Sequence, residues 1–163
     1  MKPMLERFEQ NRIECEELLA DLLSQSVFRF DASLASALPK VQGLYIITTK
    51  DETNYVHVGV TKENQKRKNG LYGRIWEDHF TWGNSSGDLL YQVQKILKID
   101  KHDAQRWIAE QCRVQWLVQA DQNLRYWAEN YAESLLRPSW SFLGSDKGLI
   151  STGTAFGKER GLN

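Results

Sequence analysis

The chain lacks most of the features that would fix its class at once. Only two cysteines occur in 163 residues. Cys15 and Cys112 stand far apart at no zinc or redox spacing, so reduced structural thiols are expected rather than a disulfide framework or a zinc module. No apolar run approaches the roughly 20 residues that span a bilayer. Met1 to Gln10 is charged and has no apolar signal core, which favours a cytoplasmic setting. There is no glycine-rich phosphate loop with Lys-Ser/Thr, no nucleophile elbow and no internal repeat. Net charge is also missing: 21 basic residues balance 21 acidic ones, where phosphate binding usually leaves a basic excess.

The distribution of charge qualifies that last absence. Met1 to Gln25 holds three basic residues and six acidic ones, which leaves 18 basic and 15 acidic for the rest. An acidic segment thus masks a mildly basic body. Within that segment Leu5, Phe8, Arg12, Cys15, Leu19 and Leu22 recur at three- and four-residue steps, which predicts an amphipathic helix from Pro3 to Leu23. It packs on the domain or presents a face to a second copy or a partner protein. Asp31 to Leu38 reads as a short helix capped by Asp31 and closed by Pro39.

Gly43 to Gly59 carries the sharpest pattern. Two apolar, β-branched and aromatic runs, Gly-Leu-Tyr-Ile-Ile-Thr-Thr and Tyr-Val-His-Val-Gly, flank a polar turn and predict a β-hairpin. A basic loop with Lys62, Lys66, Arg67 and Lys68 follows, then a helix from Leu71 to Phe80 and a loop from Trp82 to Gly87. Asp88 is placed to cap a helix running to about Leu97. A short helix is expected over Asp103 to Glu110, a third strand over Cys112 to Val118, and a helix from Asp121 to Leu136 stopped by Pro138. These elements predict an α/β (α+β) fold with a small three-stranded antiparallel sheet flanked by helices. The expected divisions are 1–38 as an N-terminal helical extension, 39–142 as the main domain and 143–163 as a tail.

In that order the motifs resemble the GIY-YIG endonuclease family over roughly Val41 to Ser141. Gly43-Leu44-Tyr45 matches the first element. His57-Val58-Gly59 matches the second, with histidine where the family has tyrosine. Arg74, in Leu71-Tyr72-Gly73-Arg74, matches the family's helical arginine, and His79 lies near the histidine that often follows it. Glu129 precedes Pro138 by the interval of the family's metal-binding glutamate; Ser141 stands where asparagine is common. The resemblance implies a metal-dependent DNA endonuclease with Tyr45, His57, Arg74, His79 and Glu129 as catalytic residues. Glu129 would be the anchor for Mg²⁺ or Mn²⁺. The alternative it leaves is a catalytically impaired nucleic-acid-binding module of the same fold that acts with a partner.

The chemistry of these residue types can be stated without the family. Phosphodiester hydrolysis needs an activated water, a cation on the phosphate and stabilisation of the leaving oxygen. Arginine offers a planar fork matched to phosphate, and a single carboxylate suffices to hold a largely hydrated Mg²⁺. Tyr45 titrates near 10 when unperturbed and would need help to act as a base, whereas an imidazole at position 57 titrates near neutrality. The plain alternatives are a half-buried sheet tyrosine, a core histidine at 57, and Arg74 paired with Glu77 or Asp78. Glu133, one turn from Glu129 on the same face, competes for the ion. The basic loop suits sequence-independent backbone contact. Of the tryptophans, Trp76, Trp107, Trp116 and Trp127 are expected in the core, and Trp82 in its loop is the one suited to stacking on a base.

Overall fold

A computed structural model describes residues 3–51, 55–63 and 69–136. Lys66, Arg67, Lys68, Pro138 and Ser141 lie outside the described residues. In chain order the elements are α1 (Pro3–Leu23), β1 (Phe28–Arg29), α2 (Ala32–Ala37), β2 (Gly43–Thr49), β3 (Tyr55–Val60), a π-helix (Tyr72–Trp82), α3 (Leu89–Leu97), α4 (Lys101–Gln111), β4 (Cys112–Val118) and α5 (Gln122–Leu136). The mixed α+β class, the hairpin, the third strand and the helices agree with the expected pattern. Asp31 does cap α2, accepting bonds from the Ser33 and Leu34 N–H groups. No helix among the described residues is long and apolar enough to cross a membrane.

The strand count needs correcting. The sheet has four antiparallel strands in the order β1-β4-β2-β3. The added strand is two residues long, too short for a period of two to register in the sequence.

Alternation along β2 divides the core in two. Leu44 and Ile46 face Val58, Val60 and the helices α1 and α5, through Leu18, Leu19, Leu22, Ala128 and Ala132. Tyr45 and Ile47 face the π-helix, α2, α3 and α4. The segment read as an extension therefore supplies core side chains to both faces of the sheet. The Gln115 side-chain amide adds a link, donating to the Leu23 and Gln25 carbonyls at 3.0 and 2.6 Å.

Trp76, Trp107 and Trp116 pack against the core as expected. Trp127 does not; at 46% exposure it belongs to the open side of α5. Both cysteines are free and buried.

The hairpin register places the candidate site positions. Tyr45 pairs with Gly59, Ile46 with Val58 and Ile47 with His57, after which the register shifts and Thr48 pairs with Tyr55. Val56 is the extra residue of this bulge, and it joins the core on the Tyr45 face, whereas Val58 and Val60 lie on the other. Tyr45 and His57 are thus diagonal neighbours on one face.

Because Leu22 is fully buried between α1 and the sheet, Leu22→Ala should cost about 2–5 kcal/mol in urea unfolding. Leu5→Ala, at a position 47% exposed, should stay within about 0.5 kcal/mol of the parent.

Candidate active site

Four of the five residues named for catalysis meet beneath β3. The Tyr45 hydroxyl oxygen lies 2.5 Å from His79 Nε2 and 3.3 Å from His57 Nε2. The three rings stand edge to face or tilted, with centroids 5.3 to 5.7 Å apart. None is on the surface: Tyr45 and His79 are fully buried and His57 nearly so. Gly59 makes the meeting possible. A Cβ there would stand against the Tyr45 hydroxyl, 2.5 Å from the ring carbon Cζ and 2.7 Å from His57 Nε2. The tyrosine ring crosses the strand where Gly59 leaves room.

His79 arrives by an unusual helix. At about 100° per residue, positions five apart on an α-helix diverge by roughly 140°. The segment Tyr72–Trp82 is π-helical instead, and i→i+5 bonding brings residues five apart onto one face. Arg74 and His79 are such a pair. The segment ends at Gly83, whose φ of 61° suits glycine and whose N–H reaches the Asp78 carbonyl at 3.1 Å, itself an i→i+5 bond.

Arg74 is held from several sides. Its Nη1 donates to Asp88 at 2.8 Å and Asp78 at 3.2 Å, and its Nη2 to the Gly87 carbonyl at 3.0 Å. Glu77 pairs with Asn69 rather than with Arg74. Burial disfavours the guanidinium charge, but the oxygens of Tyr45, Asp88 and Asp78 outweigh it and keep the group firmly protonated. For Tyr45 burial dominates in the opposite sense, pushing the phenol above its ordinary range, with Arg74 opposing and Glu129 and Asp78 adding to it.

Asp88 is the residue that linear reading missed. It occupies the N-cap position of α3 but makes no capping bond. Its carboxylate instead joins Arg74 to the Ser85 N–H, at 2.9 Å, and so fixes the loop after the π-helix. The cap falls to His79, whose Nδ1 accepts from the Leu89 N–H at 2.9 Å. No spacing rule links positions 74 and 88; only the turn of the chain between two helices joins them.

Glu129 comes from the other layer. Thr61 N–H bonds the Gly43 carbonyl, so the alternating ladder turns the Val60 N–H toward the open edge of the sheet. There it supports the Glu129 carboxylate. Burial first, then the neighbouring charge of Glu133, raises the Glu129 carboxyl from 4.5 to about 7, against the pull of Lys62, Arg74 and Val60.

Among the described residues no group of three or more His, Cys, Asp or Glu is arranged to hold a metal. Two carboxylates a turn apart, Glu129 raised by burial and then by Glu133, would suit a hydrated Mg²⁺ that needs only one or two protein ligands. Lys62 is exposed beside them. Trp82 is 48% exposed at the end of the π-helix. Lys66, Arg67 and Lys68 have no described position.

No family model, curated protein or solved structure matches this chain. The site therefore rests on its own geometry.

Two measurements test that geometry. Gly59→Ala should keep the fold but drive the Tyr45 hydroxyl from its imidazole partners, visible as loss of the low-field hydroxyl or imidazole proton signals; retention of those signals would contradict the crossing. For Glu129, the folded state binds the proton more tightly than the unfolded state. Its contribution to stability is fullest below about 4.5 and falls as pH rises through about 7. Glu129→Gln should gain roughly 2 kcal/mol on the parent between pH 5 and pH 8, after allowance for partial exposure, in paired urea titrations.

Proposed function

We propose that this protein is a metal-dependent endonuclease that hydrolyses DNA phosphodiesters, the activity implied by the resemblance to the GIY-YIG family. One observation supports the reading above others. Tyr45, His57, His79 and Arg74 converge from a hairpin and a π-helix, and the Glu129 carboxylate, on a different layer, is electrostatically coupled to the same hydroxyl. A carboxyl raised to about 7, by burial first and then by Glu133, is the kind of perturbation that gathers at functional sites.

In this reading Arg74 neutralises charge on the phosphate. Asp88, Asp78 and Gly87 hold its guanidinium in place, so little ordering remains when substrate arrives. Glu129, with Glu133, would hold Mg²⁺ or Mn²⁺, which supplies stabilisation of the leaving oxygen when bound. The Tyr45 and His57 pair takes the proton of the attacking water. Lys62, together with Lys66, Arg67 and Lys68, contacts the sugar-phosphate backbone, and exposed Trp82 offers a face for a base.

A second reading has its own support. Tyr45 is wholly buried and the Arg74 fork already binds two carboxylates and a carbonyl. A module that binds nucleic acid without cutting it fits a site so fully satisfied.

The two readings part in one assay. The purified chain is incubated with single-stranded, duplex and branched DNA, with Mg²⁺, Mn²⁺ or EDTA. Cleavage that requires the metal and falls by at least about 10²-fold in Glu129→Ala is the expected result. Binding without cleavage under every metal condition would replace the enzyme by the module. Loss of activity in Glu133→Ala with Glu129→Ala intact would move the metal anchor by one turn.

A further inference from the structure

The hydrogen bonds around Tyr45 have a direction, and it follows from a backbone group. The Leu89 N–H can only donate, so His79 Nδ1, 2.9 Å away, carries a lone pair. Leu89 opens α3, where the helix dipole and the buried setting both disfavour an imidazolium. A neutral ring with an unprotonated Nδ1 must carry its proton on Nε2. That proton points along the 2.5 Å contact and is donated to the Tyr45 oxygen. The hydroxyl, already accepting there, has its own proton to give. The imidazole nitrogen across from it is His57 Nε2 at 3.3 Å.

We propose that Leu89, His79, Tyr45 and His57 form a one-way hydrogen-bond chain in which His57 Nε2, not the tyrosine oxygen, is the final proton acceptor of the site. This rests on the nuclease reading for its chemical use. His79 is then a positioning residue: it holds the tyrosine oxygen as acceptor and aims its proton at His57. The other lone pair of that oxygen accepts from Arg74, so an attacking water reaches it as the guanidinium turns to the phosphate. The water gives a proton to the Tyr45 oxygen as the Tyr45 proton passes to His57 Nε2. The water oxygen bonds phosphorus, and the P–O3′ bond breaks with its electron pair on the departing oxygen, which takes a proton from solvent. Tyr45 begins and ends as a phenol. No phenolate forms, which agrees with a burial that opposes one.

The chain contains three histidines, so long-range ¹⁵N–¹H correlation spectra of the full-length protein near neutral pH can assign each ring. His102, at the start of α4 and exposed, serves as the solvent reference. His79 should show the Nε2–H tautomer and His57 the Nδ1–H tautomer. An Nδ1–H or doubly protonated His79, or an Nε2–H His57, would overturn the proposal whether or not the protein cuts DNA.

Activity supplies a second, separable test on an end-labelled synthetic duplex with Mg²⁺. His57→Phe should lower kcat by about 10² or more with little change in KM. His79→Gln, whose amide N–H replaces the donated bond, should lose at least about tenfold less than His79→Phe. A His57→Phe enzyme within about threefold of the parent, beside an inactive Tyr45→Phe, would make the tyrosine the base. A parent that cuts no DNA would remove the nuclease reading, while the spectra would still decide the direction of the chain.

Discussion

Much of this molecule follows from placing one buried hydroxyl where two imidazoles can share it. Leaving the Tyr45 oxygen unpartnered inside the protein would cost about 1–3 kcal/mol, so its partners cannot be dispensed with cheaply. To reach them the ring must cross β3, and only a residue without a side chain leaves the path open. The register then has to set Tyr45 against Gly59 and His57 two places back on the same face, which the regular pairing up to Ile47 and His57 provides before the bulge at Val56. Gly59 and His57 are thus two halves of one requirement.

Charge is organised around the same point. Arg74 would be expensive to bury alone, and removal of one partner from such a pair typically costs about 3–5 kcal/mol. Asp88 and Asp78 supply the opposite charge, and the price in flexibility is met by tying the Trp82 to Asp88 loop to the guanidinium. Burial raises the proton affinity of Tyr45, Arg74 limits the effect, and the carboxylates of Glu129 and Asp78 add to it. A site that gathers cation, carboxylates and imidazoles in little water holds strong fields in fixed directions, the condition under which electrostatic stabilisation is most effective.

How much of this could be read in the sequence depended on range. Local signals worked: the three- and four-residue steps of Leu5 to Leu22 gave α1, the polar turn between two β-branched runs gave the hairpin, and Asp31 capped where its type predicts. Tyr45, His57, Arg74 and His79 do come together, and Glu129 is coupled to Tyr45 and Arg74, through contacts between distant elements that periodicity does not encode. What escaped was non-local or aperiodic. Phe28 and Arg29 form a strand only because β4 offers a free edge. Asp88 reads as a cap and acts as a counter-ion, its two oxygens taken by the Arg74 guanidinium and the Ser85 N–H rather than by the first turn of α3. Trp127 is expected in the core from its place on a helix, whereas that helix buries Ala128 and Ala132 and turns the indole outward.

The π-helix shows how the site shapes its scaffold. Nothing in Tyr72 to Trp82 favours that geometry locally, and such segments are rare. An α-helical course would carry His79 roughly 140° away from Arg74. Two buried bonds would then be lost together, the one to Tyr45 and the one that caps α3. At about 1–3 kcal/mol for each group left unsatisfied, that loss is large enough to sustain the wider turn. The helix is therefore held open by the side chain it delivers, and the five-residue spacing from Arg74 to His79 has its physical meaning only in this form.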